Sequence, residues 1–278
     1  MLNRRTFLAS AASAAALPLR ASKVPGLKIG VMDGVLRLSS NPEACAVAKR
    51  QSLEGVQVTL GRPVNGRLPL EDAELQARWV SASKEHGIPL DATYIDILHA
   101  DCLKNNVAAR DWIRRGIGIT HKLDARILMT VFFGGCAVEN KAELETVADA
   151  FRELAPEAAK ANVILGFENL LNVEDNLRVW DRVASPAFKI YYDVGNSTVQ
   201  GYDVPKEIRQ LGKDRICQFH FKDGQAYLGQ GKVEFRPILD AIGDIGFSGF
   251  ANLETANPSG NIDADIGRNL SYLRTLMA

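Results

Sequence analysis

The 278-residue chain is 46% hydrophobic and 24% charged, which supplies enough apolar sequence for one large core. Its 33 lysines and arginines balance its 33 aspartates and glutamates. Because no excess of positive charge attracts polyanions, nucleic-acid binding through bulk charge is disfavoured. The length fits a single domain.

The first residues are typical of an export signal. Arg4 and Arg5 precede a short apolar run over residues 9–17, and no acidic residue interrupts the segment. This pattern predicts a twin-arginine export signal over residues 1–21, with an ordinary N-terminal segment as the alternative. Because a twin-arginine signal exports folded proteins, we expect a periplasmic or secreted protein. The apolar run is too short to span a bilayer, so we expect no stable membrane insertion after export.

Short apolar runs alternate with amphipathic stretches from Leu27 onward. The runs are rich in Val, Ile, Leu and Phe and lack polar alternation, as strands buried on both faces do. The predicted strands are 27–32, 55–60, 88–95, 126–133, 163–168, 188–193, 215–221 and 249–254.

Helical spacing of apolar residues is clearest over residues 70–86, 141–161 and 263–276, and Gly87 is placed to end the first of these. Eight strands alternating with helices predict a single-domain α/β fold, a (β/α)8 TIM barrel over residues 27–278. A doubly wound open sheet is the main alternative, but no glycine-rich turn follows the first predicted strand.

The last four predicted strands each end near a metal-binding residue type: Glu168, Asp193, His220 and Glu254. The C-terminal ends of barrel strands converge on one mouth, so these side chains should be neighbours. Three carboxylates packed together repel unless a cation joins them. The set predicts one divalent ion, with Mn²⁺ preferred and Mg²⁺, Co²⁺ or Zn²⁺ as alternatives.

Three further residues are candidates for substrate binding. Lys222 lies two residues after His220 and therefore on the same side of its strand, although a lysine reaching solvent is the alternative. Asn196 stands three residues after Asp193. His99 follows the third predicted strand, where a plain polar loop is equally compatible with the sequence.

The four cysteines, Cys45, Cys102, Cys136 and Cys217, are widely spaced and form no C-x-x-C pair. Neither a zinc ribbon nor a redox motif is therefore indicated. A chain that folds in the cytosol before export would bury them as small apolar side chains, so we expect thiols here, with disulfides as the alternative.

Residues 27–278 resemble the xylose-isomerase-like barrel family of sugar isomerases and epimerases, most densely in GFEN, KIYYDVGNST, CQFHFKD and the stretch from LGQGKVEF to ANLET. The nearest branches are the pentulose and hexulose 3-epimerases and hydroxypyruvate isomerase. The resemblance implies that Glu168, Asp193, His220 and Glu254 are metal ligands and that Glu168 and Glu254 also exchange protons with substrate. Several epimerases of the family have a histidine at the position of Asn196, where this chain departs from them.

The implied function is that of a divalent-metal-dependent sugar or keto-sugar isomerase or epimerase, in which two glutamates act as acid and base around a metal-stabilised cis-enediolate. Export favours an unphosphorylated small-molecule sugar, and a homo-oligomer is compatible with the sequence. The alternative is a lyase or hydrolase of the same fold that acts on 3-keto-glycosides or inososes by β-elimination. A DNA-repair nuclease of this barrel type needs more histidines than the four present.

Overall fold

The structure, a computed structural model, describes residues 24–278. Within them, eight parallel strands follow one another around a closed barrel, and the last strand pairs with the first. The predicted (β/α)8 TIM barrel is therefore confirmed. The predicted export signal over residues 1–21 lies outside the described residues. Across residues 24–278, no helix combines the length and apolarity needed to cross a bilayer.

The observed strands match the predicted ones to within about two residues at each end. They are β1 Leu27–Met32, β2 Val56–Thr59, β3 Leu90–Ile95, β4 Ile127–Val131, β5 Ile164–Glu168, β6 Phe188–Asp193, β7 Ile216–Phe221 and β8 Gly249–Leu253. The predicted strand residues outside these bounds belong to the adjoining loops. Nearly all strand residues are buried, as strands covered on both faces must be.

The helices form the outer layer of the barrel. They are α1 Glu43–Arg50, α2 Ala73–His86, α3 Ala108–Lys122, α4 Lys141–Lys160, α5 Val173–Val183, α6 Val194–Val199, α7 Val204–Leu211, α8 Phe235–Asp244 and α9 Ile262–Met277. The predicted helix over residues 70–86 is split: Asp72 interrupts it and caps α2 by accepting a 2.8 Å hydrogen bond from the Leu75 amide. Gly87 ends α2 in the left-handed conformation (φ 63°), as predicted.

Two different cores hold the barrel together. Between sheet and helices, an aromatic cluster joins β4, β5 and β6 to α4, with ring centroids 4.7 Å apart for Phe132 and Phe167 and 4.8 Å apart for Phe151 and Phe188. Inside the barrel, the buried side chains are largely polar and hydrogen-bonded to one another. The inner core therefore depends on paired polar groups, which fix side-chain directions more strictly than apolar contacts do.

A disulfide joins Cys102 and Cys136, whose Cα atoms lie 4.9 Å apart. Our expectation of thiols is therefore wrong for this pair, while Cys45 and Cys217 form no disulfide within residues 24–278. The two bonded cysteines lie 34 residues apart, in the loops after β3 and β4. Because consecutive strands are neighbours in a barrel, these loops meet at the mouth, which sequence spacing alone does not reveal.

We expect removal of this crosslink to lower the free energy of unfolding by about 2–4 kcal/mol, since the closed loop restricts the unfolded chain. Denaturant unfolding of the oxidised protein should be compared with that of Cys102→Ala/Cys136→Ala. Reductant should destabilise the wild type and leave the double variant unchanged. Equal stability of wild type and double variant would contradict the assignment of the crosslink.

Candidate metal centre

The structure brings the four sequence-predicted ligands together at the barrel mouth. Glu168 and Asp193 are the last residues of β5 and β6, His220 lies in β7, and Glu254 directly follows β8. One ligand atom from each residue lies within 4.8 Å of the others. Three of the side chains are buried, whereas that of Glu254 is 31% exposed. The acids are thus gathered where water reaches them from one side only.

The imidazole of His220 faces the carboxylates with its Nδ1 atom. This nitrogen lies 2.9 Å from Glu168 Oε1, 3.1 Å from Glu254 Oε2 and 3.9 Å from Asp193 Oδ2. Asp193 divides its oxygens: Oδ1 accepts a 2.7 Å hydrogen bond from the Asn196 amide and caps α6, which leaves Oδ2 directed at the centre. The side chain of Asp193 is therefore oriented by the first turn of α6.

Lys222 extends into the same centre rather than into solvent. Its Nζ lies 2.8 Å from both Asp193 Oδ2 and Glu254 Oε2. Gly195 makes room for it, because a Cβ there would lie 2.5 Å from Lys222 Cγ. Gly195, in the DVGN segment, is thus required because any larger residue would clash with Lys222. The Lys222 ammonium lies where substrate would enter the centre.

Two groups that can be cationic, His220 and Lys222, offset part of the carboxylate charge in this centre. Burial lowers the pKa of His220, but the neighbouring Glu168 and Glu254 carboxylates raise it by a larger amount. The pKa of His220 therefore lies above its usual range. Burial raises the pKa of Asp193, with Lys222 opposing it. Burial also raises the pKa of Glu254, yet His220 and Lys222 bring it well below its usual range.

These residues fit a divalent cation. Three carboxylates need positive charge between them, and the nearby groups that can supply it are His220, whose pKa is raised, and Lys222. A divalent ion held by Glu168, Asp193, His220 Nδ1 and Glu254 would supply that charge with a neutral imidazole. Carboxylate oxygens and one imidazole nitrogen form a donor set that Mn²⁺ and similar ions accept.

A buried amide that sequence reasoning missed orients the histidine. Gln57 Oε1, inside β2, lies 2.7 Å from His220 Nε2. A carbonyl oxygen can only accept, so Nε2 must carry a proton, and a neutral His220 then has its lone pair on Nδ1. Gln57 Oε1 also accepts from Tyr191 and Asn252 at 3.2 and 3.3 Å. The available signal was a glutamine within the fully buried strand sequence VQVT.

The centre opens into a cavity of about 580 Å³ on the side of β3 to β6, which we call the first chamber. Its lining includes Glu168, His99 and Asn196. His99 is 40% exposed and stacks on Phe133 at 5.8 Å between ring centroids. Both His99 and Asn196 therefore lie where a substrate would contact them, and their roles in binding stay predictions.

Two other cavities differ in their relation to the centre. One of about 640 Å³, the second chamber, lies on the side of β7, β8 and β1 and shares Met32, Lys222 and Glu254 with the first. A groove of about 770 Å³ lies on the outer surface between α4 and α5 and is lined by none of the four candidate ligands. Glu168 and Glu254 therefore line the chambers at the mouth and not this larger groove.

We expect Gln57→Leu to weaken Mn²⁺ binding by about 10–100-fold, because the imidazole loses the acceptor that holds its proton on Nε2. Calorimetric titration measures the affinity, and ¹⁵N NMR of the Zn²⁺-loaded protein shows whether His220 Nε2 carries the proton. Gln218→Leu is the matched control, since Gln218 is a buried barrel amide that bonds Asp91 instead of His220. Equal losses in both variants would contradict an orienting role of Gln57.

Comparison with curated proteins finds epimerases with phosphorylated substrates in their names. An Escherichia coli (strain K12) protein, SgbU, named provisionally as an L-ribulose-5-phosphate 3-epimerase, is 32% identical over 163 residues. That alignment covers 55% of this chain and only 56% of the relative. A 2-epi-5-epi-valiolone 7-phosphate 2-epimerase of Actinoplanes sp. (strain ATCC 31044 / CBS 674.73 / SE50/110) is 26% identical over 73% of this chain and 77% of that protein.

Solved structures share the fold. D-psicose 3-epimerase in the presence of D-fructose superposes with a TM-score of 0.77 at 15% identity, over 90% of this chain and 99% of that one. The 3-keto-D-glucoside 4-epimerase of E. coli superposes with a TM-score of 0.71 at 15% identity, over the same shares. Residues 45–276 match the family described as xylose isomerase-like TIM barrel. The chain belongs to the xylose isomerase-like TIM barrel family.

Proposed function

We propose that the protein is a divalent-metal-dependent isomerase or epimerase of free sugars or keto-sugars. The observation that carries the proposal is the placement of Glu168 and Glu254. They come from β5 and the end of β8, and both approach one central point, His220 Nδ1, at 2.9 and 3.1 Å. Two carboxylates around one reacting centre are what a proton transfer with inversion requires. Family membership supports the same chemistry.

The candidate ligands Glu168, Asp193, His220 and Glu254 would hold the ion, with Mn²⁺ as first choice. A divalent ion, when bound, supplies Lewis-acid stabilisation of negative charge on the substrate oxygens. One glutamate takes the proton from the carbon beside the carbonyl, and the other returns a proton on the opposite face of the resulting cis-enediolate. The Lys222 ammonium, at the entrance of the centre, donates a hydrogen bond to a substrate oxygen.

The first chamber would bind the reacting sugar. His99 and Phe133 provide a stacked pair of rings beside the opening, and such faces pack against the apolar side of a sugar. Asn196 offers an amide to substrate hydroxyls on the wall formed by α6. An asparagine in place of the histidine of several related epimerases changes the hydrogen bonds available there, so this residue would help to set substrate choice.

A β-eliminating lyase of 3-keto-glycosides or inososes is the second candidate. There the same base removes the proton beside the carbonyl, and the electron pair expels the substituent on the next carbon, which leaves with a proton from an acid. The second chamber favours this candidate, because it gives a departing substituent its own space beside Glu254.

We also propose export, with residues 1–21 as a twin-arginine signal. The disulfide between Cys102 and Cys136 supports export to an oxidising compartment, where the bond would form after the folded, reduced chain has crossed the membrane. An exported enzyme would meet unphosphorylated sugars, in contrast to the sugar phosphates in the names of the two curated relatives.

Proton exchange tests the reaction. Mn²⁺-loaded protein is incubated in heavy water with a panel of ketoses and 3-keto-glycosides, and loss of C–H signal is followed by NMR. Exchange accompanied by a new epimer supports the first candidate, and a released substituent supports the second. Absence of exchange on every α-hydroxy-ketone, with metal content verified, contradicts both.

Glu254→Gln should retain the fold, weaken metal binding and reduce exchange by at least about 100-fold, since an amide cannot accept the proton. Glu74→Gln, an exposed site on α2, is the matched control and should behave as wild type. Exchange at the wild-type rate in Glu254→Gln would refute the assigned role.

Export is tested by replacing Arg4 and Arg5 with lysine in the full chain. We expect the native protein in the periplasmic fraction with Cys102 and Cys136 oxidised, and Arg4→Lys/Arg5→Lys retained in the cytoplasm. Fractionation and thiol labelling measure both. Equal export of the two proteins would contradict a twin-arginine signal.

A further inference from the structure

One wall of the first chamber is carried by two neighbouring loops. Each loop contains a short 3₁₀ helix, Asp96–His99 after β3 and Gly134–Cys136 after β4. The rings of His99 and Phe133 line the chamber and stack on each other, with centroids 5.8 Å apart and planes inclined by 28°. The position of both rings therefore depends on how the two loops are held together.

The disulfide is a covalent tie between these loops. Cys102 follows His99 by three residues, and Cys136 follows Phe133 by the same number. The crosslink and the ring pair thus join the same two loops. Because three residues span at most about 10 Å even when they are fully extended, the crosslink limits how far the two rings can separate.

Other contacts hold both loops on the side of the helices. Lys104 Nζ donates to Ala137 O at 2.7 Å and lies 3.2 Å from Glu143, in the first turn of α4. Trp112 Nε1, on α3, donates to Asp101 at 2.7 Å. These contacts involve no sulfur, so they attach the loops to the helices whether or not the disulfide is present. Cleavage of the disulfide would therefore act on the chamber wall rather than on the whole fold.

The two sulfur atoms differ in access. Cys136 is only 1% exposed, whereas Cys102 is half-buried, so an oxidant or a reductant reaches the bond through Cys102. Oxidation by an external disulfide RSSR begins with attack of the Cys102 thiolate, which releases one RSH and leaves R bonded to Cys102 through sulfur. The Cys136 thiolate then displaces the second RSH. Two protein thiols and one RSSR thus give one protein disulfide and two RSH.

We propose that the Cys102–Cys136 disulfide controls substrate affinity by fixing the wall of the first chamber that His99 and Phe133 form. In the oxidised protein the wall is ordered before substrate arrives. In the reduced protein substrate binding must order the wall, which costs affinity. The candidate metal ligands come from β5 to β8 rather than from these loops, so the chemical step keeps its rate. This inference rests on the proposed function for the reaction and adds its regulation by thiol oxidation.

Amide hydrogen exchange measures the order of the wall without substrate. The oxidised protein is compared with protein reduced by a phosphine, which is removed by gel filtration before both forms are loaded with Mn²⁺. We expect amides of residues 96–107 and 132–138 to exchange at least about tenfold faster in the reduced form, and those of β5 to β8 to be unchanged. Equal exchange of the two loops in both forms would overturn the inference.

Kinetics measure the consequence for substrate. On reduction, the KM of a reacting ketose should rise about three- to tenfold while kcat stays within about twofold, and oxidised glutathione should restore the original KM. Cys102→Ala/Cys136→Ala should have the raised KM and no response to reductant. Cys45→Ala, which removes a buried thiol on α1, is the matched control and should respond as wild type does. A fall in kcat at constant KM would contradict an effect on the chamber wall.

Calorimetry with sugar alcohols separates this inference from the proposed function. Ribitol, xylitol, glucitol and mannitol carry the hydroxyls of ketoses but no carbonyl, so they bind without reacting. Weaker binding of a sugar alcohol to the reduced protein, without proton exchange on any ketose, would refute the reaction and support the redox-dependent wall. Proton exchange on a ketose with equal KM in both forms would support the reaction and overturn the inference.

Discussion

The confinement of three carboxylates at one barrel mouth is the constraint on which the rest of this structure depends. Glu168, Asp193 and Glu254 share a centre whose candidate ligand atoms lie within 4.8 Å of one another. Their mutual repulsion would favour protonation unless positive charge is supplied. His220 and Lys222 supply it here. The same requirement suits the centre to a cation and holds Lys222 against Asp193 and Glu254.

That constraint extends through the inner core of the barrel. Asp91 Oδ1 accepts hydrogen bonds from Gln218 and Asn252 at 2.7 and 2.8 Å, and Asn252 also contacts Gln57, which holds His220. Burial raises the pKa of Asp91 to about 7, which those hydrogen bonds oppose. The polar side chains form one connected network, so the direction of the His220 imidazole is fixed from the opposite end of the barrel.

Topology explains how much the sequence could predict. The convergence of Glu168, Asp193, His220 and Glu254 follows from buried strands with polar residues at their ends, because a parallel barrel brings those ends to one mouth. Strand periodicity requires no knowledge of the loops. It also placed Lys222 on the side of His220, where the structure has it.

Features that depend on loops or on contacts inside the barrel were not predictable in this way. The pairing of Cys102 with Cys136 depends on how two mouth loops meet, and no local pattern encodes that meeting. Gln57 stands out in the sequence only as a polar residue in a buried strand. Its partner His220 is 163 residues away, so the sequence does not show that the two are paired. The second chamber is formed by three loops that carry no common motif.

The two glutamates differ in a way that bears on the choice between epimerisation and elimination. Glu168 is buried and lines the first chamber, whereas Glu254 is 31% exposed and lines both. A substituent held in the second chamber would therefore lie beside Glu254 and Lys222, not beside Glu168. In the proposed reaction, a proton delivered from the Glu254 side to a departing oxygen favours elimination. A proton delivered from that side to carbon favours epimerisation. The geometry thus makes the proton on the Glu254 side the branching point between the two reactions.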